Sequence, residues 1–127
     1  MSDYTLRRDD GLIMVTLTGR LDFDTISALL DELDGLAVAA FPDLLTVLID
    51  ETDARPGLLS AGHVRNWISR WRGATALKQG RIAVIAPDLV MYGLNRMAQG
   101  IAGADSEGHL TVFRSREEAL TWLRFGA

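Results

Sequence analysis

The sequence predicts an α/β domain on a mixed, mostly parallel central sheet, with elements in the order ββαβαβαβα. Three observations carry this reading. The chain opens with short segments of strict alternation, the period of half-buried strands. Two later runs, at residues 44–50 and 81–86, are almost continuously apolar, as strands covered on both faces must be. Between and after them lie segments whose apolar residues recur at helical spacing, so strands and helices alternate as they do in parallel sheets.

The first element is a hairpin. Tyr4 and Leu6 share one face, Asp9-Asp10-Gly11 supplies the turn, and Leu12, Met14 and Thr16 alternate with Ile13, Val15 and Leu17. Gly19-Arg20-Leu21-Asp22 ends the second strand. Asp22 and Asp24 then suit a helix start, where carboxylates meet the positive end of the peptide dipoles. Ile26, Leu29, Leu30 and Leu33 form the buried stripe of that helix, with Ser27, Asp31, Glu32 and Asp34 between them. Phe41-Pro42-Asp43 breaks the chain, and residues 44–50 are predicted to be the middle strand of the sheet.

Residues 51–57, Glu-Thr-Asp-Ala-Arg-Pro-Gly, read as a loop dense in turn formers and charge. It lies past the carboxyl end of the middle strand, where open α/β sheets receive ligands and partners. A second helix follows from about Ser60, with Val64, Trp67, Ile68 and Trp71 at helical spacing, and residues 72–80 form a polar connector. After the strand at 81–86, Pro87-Asp88 starts a third helix whose predicted core stripe is Val90, Leu94, Met97 and Ile101. Residues 103–108 are a loop and 110–113 the last strand. Ser115-Arg-Glu-Glu118 reads as a capping box opening a fourth helix that buries Ala119, Leu120 and Leu123. The last three strands are expected to run parallel through right-handed crossovers, with the hairpin as an antiparallel edge.

Composition narrows the function classes. At 127 residues, 48% hydrophobic and 24% charged, the chain reads as one globular domain over residues 1–127. A net charge of −4 with scattered basic residues argues against a nucleic-acid surface, which needs clustered Lys and Arg. The chain has no cysteine, which removes disulfides and thiolate chemistry and fits a reducing cytoplasm. Met1-Ser-Asp-Tyr has no basic region followed by an apolar stretch, so no secretory signal is expected, and the apolar runs fall well short of the roughly 20 residues of a membrane span. The expectation is a cytoplasmic protein that is not an integral membrane protein.

Candidate chemistry is sparse. Neither G-x-G-x-x-G nor G-x-x-x-x-G-K-[ST] occurs, so no nucleotide fingerprint decorates the strand ends. His63 and His109 are the only histidines and neither has a second ligand at helical or hairpin spacing, so no metal and no cofactor is expected. His63 three residues after Ser60 could act as its base, but no G-x-S-x-G elbow surrounds the serine. Asp50 and Asp53 could pair as acid and base, although an Asp at a strand end is commonly a turn former. Trp67 and Trp71 share a helical face and could line an apolar groove, a spacing that core packing also produces. Tyr92 and Arg96 form a second pair at helical spacing, off the predicted stripe and beside Gly93.

The order of elements, with Arg81-Ile-Ala-Val-Ile-Ala-Pro-Asp, Tyr92-Gly-Leu-Asn-Arg-Met and Val112-Phe-Arg-Ser-Arg-Glu-Glu-Ala-Leu-Thr-Trp-Leu, resembles the STAS-like families related to the anti-anti-sigma factor SpoIIAA, above all their bacterial single-domain members. The resemblance implies a mixed sheet with packed helices, a non-enzymatic role, and binding of a protein partner or of a small apolar or anionic ligand. In anti-anti-sigma factors a loop ending in Asp-Ser-Ser/Thr-Gly heads a helix, and a partner kinase phosphorylates a serine there. Phosphate at a helix N-terminus can switch an interface. The corresponding stretch here is Arg55-Pro-Gly-Leu-Leu-Ser-Ala-Gly, which keeps Ser60 and Gly62 without the preceding Asp. Ser60 therefore reads as a helix cap rather than a phosphoacceptor.

The leading expectation is a regulatory interaction module working through residues 50–63, with Asp53, Arg55, Ser60 and His63 as partner-binding residues. The alternative is a small-ligand carrier with a pocket between the second and third helices, lined by Trp67, Trp71, Tyr92 and Arg96. An enzyme using Asp50, Asp53 and His63 is the third reading. A homodimer is compatible with each, since two-fold pairs are the commonest assembly.

Overall fold

The computed structural model describes residues 2–126. Strands β1 (Ser2–Asp9) and β2 (Leu12–Arg20) form the hairpin, followed by helix α1 (Phe23–Ala40) and strand β3 (Thr46–Arg55). Helices α2 (Ala61–Gly73) and α3 (Thr75–Gln79), strand β4 (Arg81–Ile85) and helix α4 (Leu89–Ala102) come next. A 3-10 turn (Gly103–Ser106), strand β5 (Leu110–Phe113) and helix α5 (Arg116–Phe125) complete the order. The five strands lie in sequence order, β1 pairing antiparallel to β2 and every later pair parallel. The α/β class, the hairpin and the central place of the third strand are as the sequence predicts.

Local chemistry accounts for the ends of these elements. Asp10 and Gly11 both have positive φ, 52° and 77°, which the tight hairpin turn demands and which Asp-Gly supplies at low cost. Asp22 accepts the Thr25 N–H, Asp88 those of Val90 and Met91, and Ser115 that of Glu118, so the predicted starts of α1, α4 and α5 are real side-chain caps.

Pleating divides the apolar residues between two cores. Ile13, Val15, Leu17, Val47, Ile82 and Val84 face the layer of α1, α2 and α4. Their neighbours Leu48, Ala83 and Ile85 face α5, where Ala119 and Trp122 are the buried residues and Leu120 and Leu123 pack beside them. Arg81 closes this smaller core, its guanidinium 4.0 Å from the centre of the Trp122 ring.

Three details differ from the sequence reading. The polar connector at residues 72–80 contains α3, because Leu77 anchors it in the larger core at 1% exposure. Gly80 then passes so close to Leu45 that a Cβ would overlap the Leu45 carbonyl. The stripe of α4 is turned toward Met91 and Ala102, which are buried: Leu94 and Ile101 of the predicted stripe do pack against the larger core, whereas Val90 and Met97 are exposed. Apolar residues nearly encircle this helix, so its periodicity allowed either phase, and inward-facing Asn95 disguised the true one. Finally, residues 51–55 are strand and not loop. Thr18, Gly19 and Arg20 of β2 pair with Asp53, Ala54 and Arg55 of β3 in parallel, and this ladder overrides the turn-forming composition. The connecting loop is residues 56–60.

The burial of Leu77 gives α3 a structural role. Leu77→Ala should lower the unfolding free energy in urea by about 2–5 kcal/mol, while Gln79→Ala, exposed in the same turn, should change it by less than about 0.5 kcal/mol.

Candidate functional site

The residues predicted for partner binding gather where β3 runs into α2. Asp53 and Arg55 are exposed at the end of β3, and neither side chain makes a hydrogen bond or ion pair among the described residues. Leu58, at 97% exposure, is the most exposed of the large apolar side chains. The loop is held down on either side of it. Gly57 packs so tightly on Leu21 that a Cβ would overlap the Leu21 carbonyl, and Leu59 packs against the larger core.

Ser60 and His63 form a reciprocal cap at the head of α2. The Ser60 hydroxyl oxygen accepts the His63 N–H at 3.1 Å, and His63 Nδ1 accepts the Ser60 N–H at 3.2 Å. Nδ1 is thereby used as an acceptor, which leaves Nε2 to carry the proton of the neutral ring. The His63 ring also lies against Phe23 and Trp67, with centroids 5.0 and 6.3 Å away, and the Trp67 indole donates to Ser27. The geometry is that of a cap and an aromatic seal between α1 and α2. A serine activated by His63 needs its hydroxyl proton directed at the ring, and here the ring nitrogen faces a backbone N–H instead. Asp50 lies on the α5 face, bonded to Thr52 and paired with Arg116 at 2.9 Å. No group of three metal-ligating side chains occurs among the described residues.

A cavity of about 130 Å³ lies between the sheet and helices α1, α2 and α4. Its wall is apolar, with Leu29, Leu33, Ile49, Trp67, Trp71 and Leu94 prominent, except at Glu51 and Asn95. Tyr92 and Arg96 do not line it, a correction to the pocket read from the sequence. The rotated phase of α4 is the reason: Asn95 and Met91 point inward, Arg96 is exposed, and Tyr92 is half-buried with its ring 6.0 Å from the Arg114 guanidinium.

Glu51 is the feature that sequence reasoning missed. Only 7% exposed, it accepts a 2.7 Å hydrogen bond from Asn95 Nδ2 to Oε1, while Asn95 also donates to the Met91 carbonyl at 2.9 Å. Burial pushes the Glu51 carboxyl up from its ordinary 4.5 to about 7, with the Asp50 charge adding to the rise and the Asn95 bond opposing it. A signal was present. Extending the alternation Val47, Ile49 by one step puts residue 51 on the same inward face.

No family model and no curated protein matches the chain. Solved structures do. The chain is similar to an uncharacterized protein of the DUF3478 family with a SpoIIAA-like fold from Shewanella loihica PV-4, at 17% identity over 96% of this chain and 93% of that one, with a TM-score of 0.58. It is similar to the anti-sigma factor antagonist SpoIIAA in its unphosphorylated form, at 15% identity over 96% and 98% of the two chains and a TM-score of 0.60. An anti-sigma factor antagonist from Mycobacterium paratuberculosis matches at 19% identity over 98% and 95%, with a TM-score of 0.56. At such identities the likeness is one of fold. The fold is SpoIIAA-like, as the resemblance in sequence implies, and no helix among the described residues is long and apolar enough to cross a membrane.

The raised affinity of Glu51 for its proton fixes the sign of a pH effect. Between about pH 4.5 and 7 the unfolded chain has released this proton and the native chain retains it, so stability falls as pH rises through that window. Below it Glu51 is protonated in both states, and above it the penalty is complete, on the order of 3 kcal/mol. Urea unfolding across this range should show Glu51→Gln gaining on the native chain by that order as pH rises, and a constant difference would contradict the assignment. Asp22 and Asp105, both held below the usual carboxylate range by hydrogen bonds, titrate in both proteins and cancel in the difference. In the same assay Ser60→Ala should cost about 1 kcal/mol through loss of the α2 cap.

Proposed function

We propose that this chain is a non-enzymatic regulatory module that binds a protein partner through the end of β3, the loop at residues 56–60 and the start of α2. The observation that carries this reading is Leu58, an apolar side chain almost wholly in water between the unpaired charges of Asp53 and Arg55 on one side and the Ser60–His63 cap on the other. A leucine held out by its neighbours has no packing role in the fold, whereas an apolar anchor within a charged rim is what partner surfaces use. Two of the similar folds are anti-sigma factor antagonists, a regulatory designation, which supports the same reading. A cytoplasmic location goes with it.

Residue Ser60 enters the surface as the cap of α2, its hydroxyl oxygen accepting the His63 N–H. A second reading, a carrier for a small ligand, is favoured by a different observation, the apolar cavity with Glu51 and Asn95 in its wall.

Placing a photo-crosslinking residue at position 58 in the native host tests the leading reading. A discrete adduct is expected whose yield drops several-fold when Arg55→Ala is added, with no such adduct from the same group at Glu117 on α5. Identical adduct patterns from the two positions would remove the case for this surface.

A further inference from the structure

We propose that the cavity between the sheet and helices α1, α2 and α4 binds a small neutral apolar molecule carrying a single hydroxyl, about the size of phenol, with the hydroxyl held at Glu51. The proposal rests on the carrier reading and specifies its ligand.

Size is the first argument. A volume of about 130 Å³ is close to the roughly 150 Å³ at which an engineered apolar cavity admits benzene. The second is unfinished hydrogen bonding. Asn95 serves Oε1 of Glu51, which leaves Oε2 with no donor among the described residues. Trp71 also belongs to the cavity wall, and its Nε1 is buried without an acceptor. Buried polar groups are satisfied in the great majority of cases, so a buried indole N–H left open in the same wall as an unserved carboxyl oxygen points to a polar atom of an occupant. A cavity produced by imperfect packing alone would be apolar throughout.

Charge selects the head group. No Lys, Arg or His lines the cavity, so an anionic ligand would meet Glu51 with no opposite charge to offset its desolvation. An ammonium would have to form a buried ion pair there, losing hydration on both partners. A hydroxyl avoids both costs and is at once a donor, for a carboxylate oxygen, and an acceptor, for an indole N–H or a protonated carboxyl. The apolar wall, with the rings of Trp67 and Trp71, then fits an aromatic or compact aliphatic body.

The test compares phenol with toluene, near-isosteres that differ in the hydroxyl. In the full chain labelled with nitrogen-15, the indole N–H signals of Trp67, Trp71 and Trp122 are followed by NMR during each titration. Phenol should shift the Trp71 and Trp67 signals saturably and leave Trp122, in the other core, unmoved. It should bind about tenfold more tightly than toluene, the scale of one good hydrogen bond. In Glu51→Leu that preference should vanish or reverse, and in Glu51→Gln, which keeps a polar group at the site, phenol binding should stay within a few-fold. Should Glu51→Leu fail to fold, the ratio in the native chain and the Glu51→Gln result still decide the matter. Equal affinity for the two molecules in the native chain overturns the role of the hydroxyl and leaves a carrier of plain apolar molecules. A preference unchanged in Glu51→Leu overturns the role of Glu51, and no saturable shift with either molecule overturns the carrier reading itself.

Discussion

Both candidate sites depend on how far β3 runs beside its neighbours. Residues Thr46 to Asp50 are paired on both edges, with β2 and with β4, but beyond Asp50 only β2 continues the ladder. The register shifts where Thr16 pairs with Asp50 and Thr18 with Asp53, so β3 carries one more residue than β2 across that interval. The extra residue changes which side chains face in beyond Glu51. Glu51 and Ala54 are buried, while Thr52, Asp53 and Arg55 are exposed. Regular alternation from Val47 and Ile49 brings the Glu51 carboxyl into the larger core, and the irregularity just after it turns Ala54 inward and both Asp53 and Arg55 onto the rim beside the loop.

Burying Glu51 is the most costly local choice in this arrangement. A lone carboxylate in an apolar wall would bear a desolvation penalty of several kcal/mol, and the protein lowers it by retaining the proton toward neutrality and by supplying the Asn95 amide. Asn95 in turn is steadied by the Met91 carbonyl one turn earlier on α4. The phase of α4 and the protonation of Glu51 are therefore parts of one structure: turning the helix outward by a residue would remove Asn95 from the carboxyl and leave it with no partner. Asp50, its neighbour on the opposite face, keeps its charge affordable by the Arg116 ion pair and partial exposure.

Signals that are local in the chain were legible in the sequence. The Asp10-Gly11 turn, the caps at Asp22, Asp88 and Ser115, the two-sided burial of Val47 and Leu48 and the stripe Val64, Ile68, Trp71 each rest on a few consecutive residues. What escaped depends on distant partners. Residues 51–55 have the composition of a turn and become strand only because Thr18, Gly19 and Arg20 lie alongside. Tyr92 and Arg96 were expected to line the pocket since helical period alone did not distinguish two phases of α4, and the Glu51 contact that does so joins residues 44 apart. In the candidate site, Trp67 and Trp71 were found by spacing, whereas the carboxyl between the layers was hidden in a segment that read as loop.

The loop and the cavity are continuous through a single residue. Leu59 lines the cavity wall, while Leu58, at the bend just before it, is left in solvent. Gly57 and Ser60 fix the two ends, the first by its close approach to the Leu21 carbonyl and the second by capping α2. The exposure of Leu58 is consequently not a product of slack in the loop. The geometry of this edge is set by apolar packing at Leu59 together with the Ser60 cap. Such local geometry is not revealed by likeness of fold.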